Sequence, residues 1–248
     1  MKRHAYARGW RAGALLVLLG VPGLLSALLV LPDVPGVPRV ALLLQPLILL
    51  VVLAFAGAAA APRAGFRSLL LDRVAGRGDW PGLAHWRRPA LIGCALGIAL
   101  AVTDVVTTPI WRTGATPPNV VEGWQPVLLI PGMLYGGMTE EIMMRFGAMS
   151  LFAWLFGWRM SGAKAELAGW LGNVGAAILF GALHLPAVAG TGADITAAIA
   201  IRTIGLNALG GLTYGWLLLR RDLESAMLAH AATHLGFAAA ALGWRAYA

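Results

Sequence analysis

The chain has 248 residues, of which 59% are hydrophobic and 12% charged, with a net charge of +8 and a single cysteine. Soluble domains carry about a quarter of their residues as charges, so this composition excludes an ordinary soluble domain and points to a polytopic membrane protein. The excess charge sits in short connections between apolar runs, where it sets topology and meets anionic headgroups rather than nucleic acid, and the lone Cys94 excludes a disulfide framework and reads as a small buried hydrophobe.

Lys2, Arg3, Arg8 and Arg11 precede an apolar run at 12–31. That run has the ~20 residues a membrane helix needs and exceeds the ~7–15 of a signal-peptide core. A turn rich in proline and glycine leads to a second span at 40–61, which holds Gln45 and Pro46. Residues 62–89 carry Arg63, Arg67, Arg73, Arg77, Arg87 and Arg88, and Phe66, Leu69, Leu70 and Leu71 alternate with those charges as in a short interfacial helix. A topology-setting loop is favoured there over a lipid or substrate contact. The third span, 90–108, has Asp104 near its far end, where the headgroup region can hold it without a further role.

The fourth span begins near Trp124 and passes Pro131, a point where membrane helices kink because neighbours re-satisfy the freed carbonyl. It then reaches Met-Thr-Glu-Glu-Ile-Met-Met-Arg-Phe at 138–146 and an aromatic-rich stretch at 147–158, which lies along the interface if the span ends near Arg145. A fifth span at 170–188 contains His184. A sixth at 195–219 holds Arg202 and Asn207, with Gly211 and Gly215 at the spacing that lets helices approach closely. The seventh, 225–244, holds His230 and His234. The expected fold is therefore an all-α transmembrane bundle of about seven helices. Residues 1–123 form N-terminal membrane helices with a basic cytoplasmic loop, and 124–248 form a catalytic-type core within one integrated membrane domain. With a cytoplasmic N-terminus, fourteen of the nineteen basic residues fall inside and three outside, Arg145 and Arg202 lying within spans; that bias follows the positive-inside rule.

Ionisable residues inside spans are costly and mark function by default. On one helix Glu141 and Arg145 are four apart and can neutralise each other, whereas Glu140 is rotated about 100° away and has no partner in its own segment. Glu140 is thereby left for chemistry or for a group from another helix. His184, His230 and His234 join it on later spans, at depths that match Glu140 if the fifth span enters the membrane late. Peptide hydrolysis needs such a set: a base to make a nucleophile from water, an acid for the leaving amine, and donors aimed at the tetrahedral oxygen.

Glu-Glu-x-x-x-Arg at 140–145, Phe-x-x-x-His at 180–184 and the histidine at 230, in this order on late helices, resemble the CPBP family of intramembrane proteases. That family includes the type II CAAX prenyl endopeptidases and bacterial relatives linked to bacteriocin self-immunity. The likeness covers about 131–236; the earlier spans match only as membrane helices. It implies a helical membrane enzyme with its cavity open to the cytoplasm, in which Glu140 and His184 activate water, Glu141 pairs with Arg145, and His230 with residue 234 stabilises the oxyanion. An asparagine is usual at that last position and His234 stands here; a neutral histidine can still donate one hydrogen bond.

Three other readings stay open. Glu140, His184, His230 and His234 make a conceivable zinc set, since two histidines four apart present ligands on one helix face, although the resemblance favours a metal-free glutamate mechanism and no cofactor. A non-catalytic scaffold or immunity-type protein could keep the motif for helix packing. A transporter also places such residues in spans, but no inverted repeat is present. The expected partners are membrane lipids and a peptide or protein substrate, lipidated or not. The expected location is a bacterial cell membrane.

Overall fold

A computed structural model describes residues 9–112, 114–158 and 160–247. Lys2, Arg3, His4, Arg8 and Arg159 lie outside the described residues, so part of the basic flank does too. The described chain is helical, with one isolated bridge between Val34 and Val37 as its sole β pairing. Its helices are α1 (Gly9–Ser26), α2 (Leu44–Ala64), α3 (Leu69–Val74), α4 (Leu83–Trp111), α5 (Val120–Gly123), α6 (Leu129–Pro131), a π-helical segment (Gly132–Met149), α7 (Ser150–Gly157), α8 (Ala163–Ala182), α9 (Leu185–Ala189), α10 (Ala197–Arg220) and α11 (Leu223–Tyr247). The all-α polytopic bundle is as expected.

The expected count of seven is not confirmed. Among the described residues five helical stretches are long and apolar enough to cross a membrane: Gly9–Leu29, Arg39–Ala64, Leu83–Trp111, Lys164–Ala189 and Leu223–Ala246. The stretches expected as the fourth and sixth spans are helical and pack among these five, but they are not in that set. Glu140, Glu141 and Arg145 in one, and Arg202, Asn207 and several glycines in the other, dilute the apolar character that identifies a span. Leu18, Val106 and Ile201 are each more than two-thirds exposed, as lipid-facing side chains are in a bundle whose exterior is apolar.

The fourth segment departs from expectation in two ways. After Pro131 the backbone widens from α to π geometry, with i→i+5 bonding, and keeps it through the motif as far as Met149. The helix then continues into α7, which packs on α8 and α2, so 147–158 belongs to the bundle and does not lie apart along the interface.

Successive long helices reverse direction, and side chains tie their connections into two ends. At one end Leu223 N–H donates to the Arg67 carbonyl, Arg221 to the His85 carbonyl, and Arg220 pairs with Glu166 at 2.8 Å. This basic end also carries Arg63, Arg73, Arg77, Arg87, Arg88 and Lys164. At the other end, the far end, Asp194 N–H donates to the Ala115 carbonyl and Arg245 to the Trp124 carbonyl. His85, expected in a loop, starts α4 and meets Asp222 at 3.1 Å. The short helix expected near 66–71 is α3. Glu224 accepts hydrogen bonds from Ser68 and from the Leu69 and Leu70 N–H groups, which docks α3 onto α11. Phe66, Leu69 and Leu71 are buried against the bundle rather than presented on its surface.

Gly211 and Gly215 set the distance between α8 and α10. A methyl group at Gly215 would lie 1.9 Å from the Asn173 side chain, and one at Gly211 would lie 3.0 Å from both Ala177 and an Arg145 nitrogen. The expected close-approach motif thus also leaves room for a buried guanidinium.

Candidate active site

Three elements meet around the acidic motif: the π segment, the end of α8, and the first half of α11. Glu141 is fully buried, and its Oε1 lies 2.8 Å from His230 Nδ1 while Oε2 lies 3.5 Å from Arg145 Nε. The expected pair with Arg145 is present, but at the longer distance. The nearer partner of Glu141 is the histidine, a contact that spacing within one helix could not reveal. Arg145 is fully buried, and none of its three guanidinium nitrogens has a hydrogen-bond partner. Its cation is flanked by aromatic faces instead, with Cζ at 4.8 Å from the Phe180 ring and 5.7 Å from the Tyr214 ring. The quadrupoles of those faces attract a cation.

Glu140 occupies the other position foreseen for it. Its side chain is 16% exposed, and its Oε2 lies 3.9 Å from His230 Nε2. His230 therefore stands between the two carboxylates, one at each ring nitrogen. His184 lies in the turn between α8 and α9, within the Lys164–Ala189 stretch, and its Nδ1 is 2.8 Å from the Phe180 carbonyl. A carbonyl can only accept, so Nδ1 carries the proton and Nε2 is left as an acceptor in the neutral ring. His234 stacks on His230 with ring centroids 5.5 Å apart and an interplanar angle of 15°.

Glu140, His184, His230 and His234 all border one cavity of about 620 Å³, within the ~300–1,000 Å³ range of ligand sites. Glu141 and Arg145 do not line it; they lie behind His230. Among the described residues no group of three or more His, Cys, Asp or Glu side chains comes together closely enough to hold a metal ion.

Several residues that shape the site escaped the sequence reading. Tyr214 stacks on His230 at 4.4 Å and donates to Thr233, which braces the ring. Gly132 and Gly136 are four apart, like the histidines they face. A methyl at Gly132 would lie 2.4 Å from His234 Nδ1, and one at Gly136 would lie 3.0 Å from His234 Nε2 and 3.1 Å from His230 Nε2. That repeated spacing was visible in the sequence.

Asp104 was given no role, yet it is fully buried at the rim of the cavity. It accepts two bonds from Arg202 at 2.6 and 2.7 Å and one from Val120 N–H at 2.8 Å. Arg202 covers the Trp111 ring at 4.1 Å and reaches the Pro118 carbonyl. This hub pins the 117–124 connection to α4 and α10.

Fold and site together define a polytopic α-helical membrane protein with an internal glutamate–histidine centre beside a ligand-sized cavity. Residues 122–236, which hold all six site residues, match the family model described as Type II CAAX prenyl endopeptidase Rce1-like. No curated protein matches the chain, and no solved structure does. The family is one of membrane proteases, in keeping with an integral membrane protein.

Proposed function

We propose that the protein is an intramembrane endopeptidase of the CAAX-protease type, in which Glu140 and His184 activate a water molecule. The observation that carries this reading is the position of Glu140, partly open to the cavity and lacking the close partner that Glu141 has. The carboxylate takes a proton from water as the oxygen adds to the peptide carbonyl carbon. The tetrahedral oxyanion then collapses, the C–N bond breaks, and the carboxylic acid returns the proton to the leaving nitrogen. His184 Nε2 can accept a hydrogen bond from the same water and orient it.

The Nδ1 of His230 is engaged with Glu141, so Nε2 can donate to an oxyanion when the ring carries both protons, or when Glu141 carries the proton of that contact and the neutral ring keeps its own on Nε2. Either way the cluster is neutral as a whole: Glu140 and Glu141 balance Arg145 and a charged His230, or Glu140 balances Arg145. A preorganised donor of this kind is worth on the order of 100-fold or more in rate. His234 is in reach to share that task from its stacked position.

The test is cleavage of a peptide library by the purified full chain in proteoliposomes. Glu140→Gln is expected to keep the wild-type melting temperature in detergent and to lose turnover by on the order of 1,000-fold or more, the upper range for general acid–base groups. A fully active Glu140→Gln would remove the proposed base. Stoichiometric bound zinc together with chelator-sensitive turnover would replace the glutamate mechanism by the zinc reading, and a chain that cleaves nothing would favour the scaffold.

A further inference from the structure

We infer that a second cavity, at the basic end of the bundle, binds an anionic glycerophospholipid, whose phosphate meets Arg63 and whose acyl chain lies along the exposed face of α2. This site is separate from the glutamate–histidine centre and does not depend on the hydrolase reading.

The second cavity has a volume of about 620 Å³ and lies where the end of α2, α7 and the connection into α8 come together. Arg63, Trp154, Trp158, Met160 and Ser161 are among the residues that border it, and none of its lining residues is an aspartate or a glutamate. Arg63 stands in the last turn of α2, donates from Nη1 to the Ala59 carbonyl and holds its Cζ 5.7 Å from the Trp154 ring centroid. Trp154 in turn stacks on Trp158, with centroids 5.7 Å apart and an interplanar angle of 19°. A backbone carbonyl and an aromatic face thus fix the guanidinium at the edge of the cavity.

The group this cation lacks is a counterion. At the same end Arg67 and Arg77 pair with Asp72, Arg73 with Asp79 and Arg220 with Glu166. Among the described residues Arg63 has no carboxylate partner, and neither has Lys164, which is exposed beside the cavity-lining Ala165. The Nε and Nη2 atoms of Arg63 remain free, and a planar guanidinium fork matches the oxygens of a phosphate.

The lipid character of the ligand follows from the helix that carries Arg63. Ile48, Val52, Phe55 and Ala59 are spaced by three or four residues and lead up to Arg63 on one face of α2. All four are exposed, Ile48 and Val52 by more than half. The row is about 16 Å long at ~1.5 Å per residue, close to half of the ~30 Å hydrocarbon core, which is the depth that the chains of one leaflet fill. Tryptophan and arginine at helix ends sit at the level of the headgroups, so a phosphate at Arg63 and a chain on this row each lie in their own medium. A zwitterionic lipid would bring its ammonium to a cavity whose formal charges are cationic, with the Trp154 face already holding a guanidinium; an anionic headgroup has no such conflict. The lipid would also brace the motif from behind. α2 lies so close to the π segment that a methyl at Gly57 would meet the Phe146 carbonyl, and α7 continues that segment.

The experiment follows the melting temperature of the purified full chain in detergent as dioleoylphosphatidylglycerol, dioleoylphosphatidylcholine or glycerol 3-phosphate is added. Phosphatidylglycerol is expected to raise it, because a ligand that binds the folded state stabilises it. Phosphatidylcholine is expected to raise it less at every concentration, and glycerol 3-phosphate to leave it unchanged. In Arg63→Gln the phosphatidylglycerol concentration for half the effect is expected to rise about fivefold, the contribution of one cation beside an anionic lipid surface. Arg73→Gln, which removes a cation paired with Asp79, is expected to respond as wild type does. Equal shifts with the two phospholipids, or a wild-type response in Arg63→Gln, would overturn the inference and leave Arg63 as a side chain that only reaches toward the headgroups. A full shift with glycerol 3-phosphate would overturn it in favour of a soluble phosphate. A second measurement leaves Arg63 intact: tryptophan quenching by phosphatidylglycerol brominated on its acyl chains, at equimolar lipid. The double variant Trp154→Phe, Trp158→Phe is expected to lose most of that quenching, and unchanged quenching would place the lipid elsewhere and overturn the inference.

Discussion

Two buried carboxylate–arginine pairs among the described residues are built on opposite principles. Asp104 and Arg202, at the rim, meet through two short bonds of 2.6 and 2.7 Å, and the carboxylate takes a third from Val120 N–H. Glu141 and Arg145, at the centre, lie 3.5 Å apart, and the guanidinium has aromatic faces but no hydrogen-bond partner. Breaking a buried pair is strongly destabilising, whereas a satisfied one is close to neutral against an apolar replacement. The rim pair is thus a clamp whose whole capacity goes into holding three segments together. The central pair leaves bonding capacity unused and places one carboxylate oxygen on His230, as a group does when it holds a ring in a chosen protonation state.

Substitution at the two carboxylates separates clamp from centre. Asp104→Asn puts an amide N–H against either Arg202 or Val120, both donors, and leaves the cation unpaired. It is expected to cost about 3–5 kcal/mol, the range for breaking a buried pair, read as lowered thermal stability in detergent. Glu141→Gln loses one short contact and one long one, so its stability loss is expected to be smaller and its loss of turnover larger. If both variants lose stability equally and retain the same fraction of turnover, the two pairs do the same work and the distinction fails.

The histidines allow a finer cut. Gly136→Ala places a methyl group 3.0–3.1 Å from the Nε2 atoms of His230 and His234 while touching neither ion pair. Overpacking costs about 1–3 kcal/mol, but a displaced ring of the order of 1 Å can cost about 100-fold in rate. Turnover is expected to fall far more than melting temperature does. A variant with normal turnover would mean that the spacing of these rings does not matter to the reaction.

Much of this was legible in the chain. Apolar runs broken by arginine-rich connections specify a helical bundle, and charges within such runs marked Glu140, Glu141 and Arg145 because hydrocarbon tolerates them only for a reason. What could not be read were relations between helices. His230 bonding Glu141 requires residues 89 positions apart to meet, and local spacing contains nothing about that. The π geometry after Pro131 was equally hidden, since it widens the turn without changing which residues are apolar. Asp104 was a different kind of miss: the rule that singled out Glu140 applied to it too, and was set aside because Asp104 lies near the end of a run. The two segments that wall the cavity are the ones of the expected seven that fall short of a span's length and apolarity, because function and close packing remove apolar residues there.

The smallest expected effect lies at the surface of the same rim. Glu122 and Arg112 form an ion pair whose side chains are 38% and 39% exposed, and the Glu122 carboxylate also accepts from Asn119 N–H at 3.2 Å, which closes the cap of α5. The hydrogen bond from Arg112, followed by those from Asn119, holds the Glu122 carboxyl below its ordinary range against a partial opposing effect of burial. A depressed folded value contributes stability above the unfolded carboxylate value of about 4.3, and that contribution is lost as pH falls through the folded one. Because the pair is solvent-exposed and screened, its contribution is at most about 1 kcal/mol. Glu122→Gln should therefore melt slightly below wild type at pH 7, and the gap should close as pH is lowered well into the acid range or as salt is raised. A gap that stays the same at low pH and high salt would assign it to the shape of the cap rather than to charge. The rim would then be held by Asp104 alone, sharpening the contrast between a buried clamp and an exposed pair.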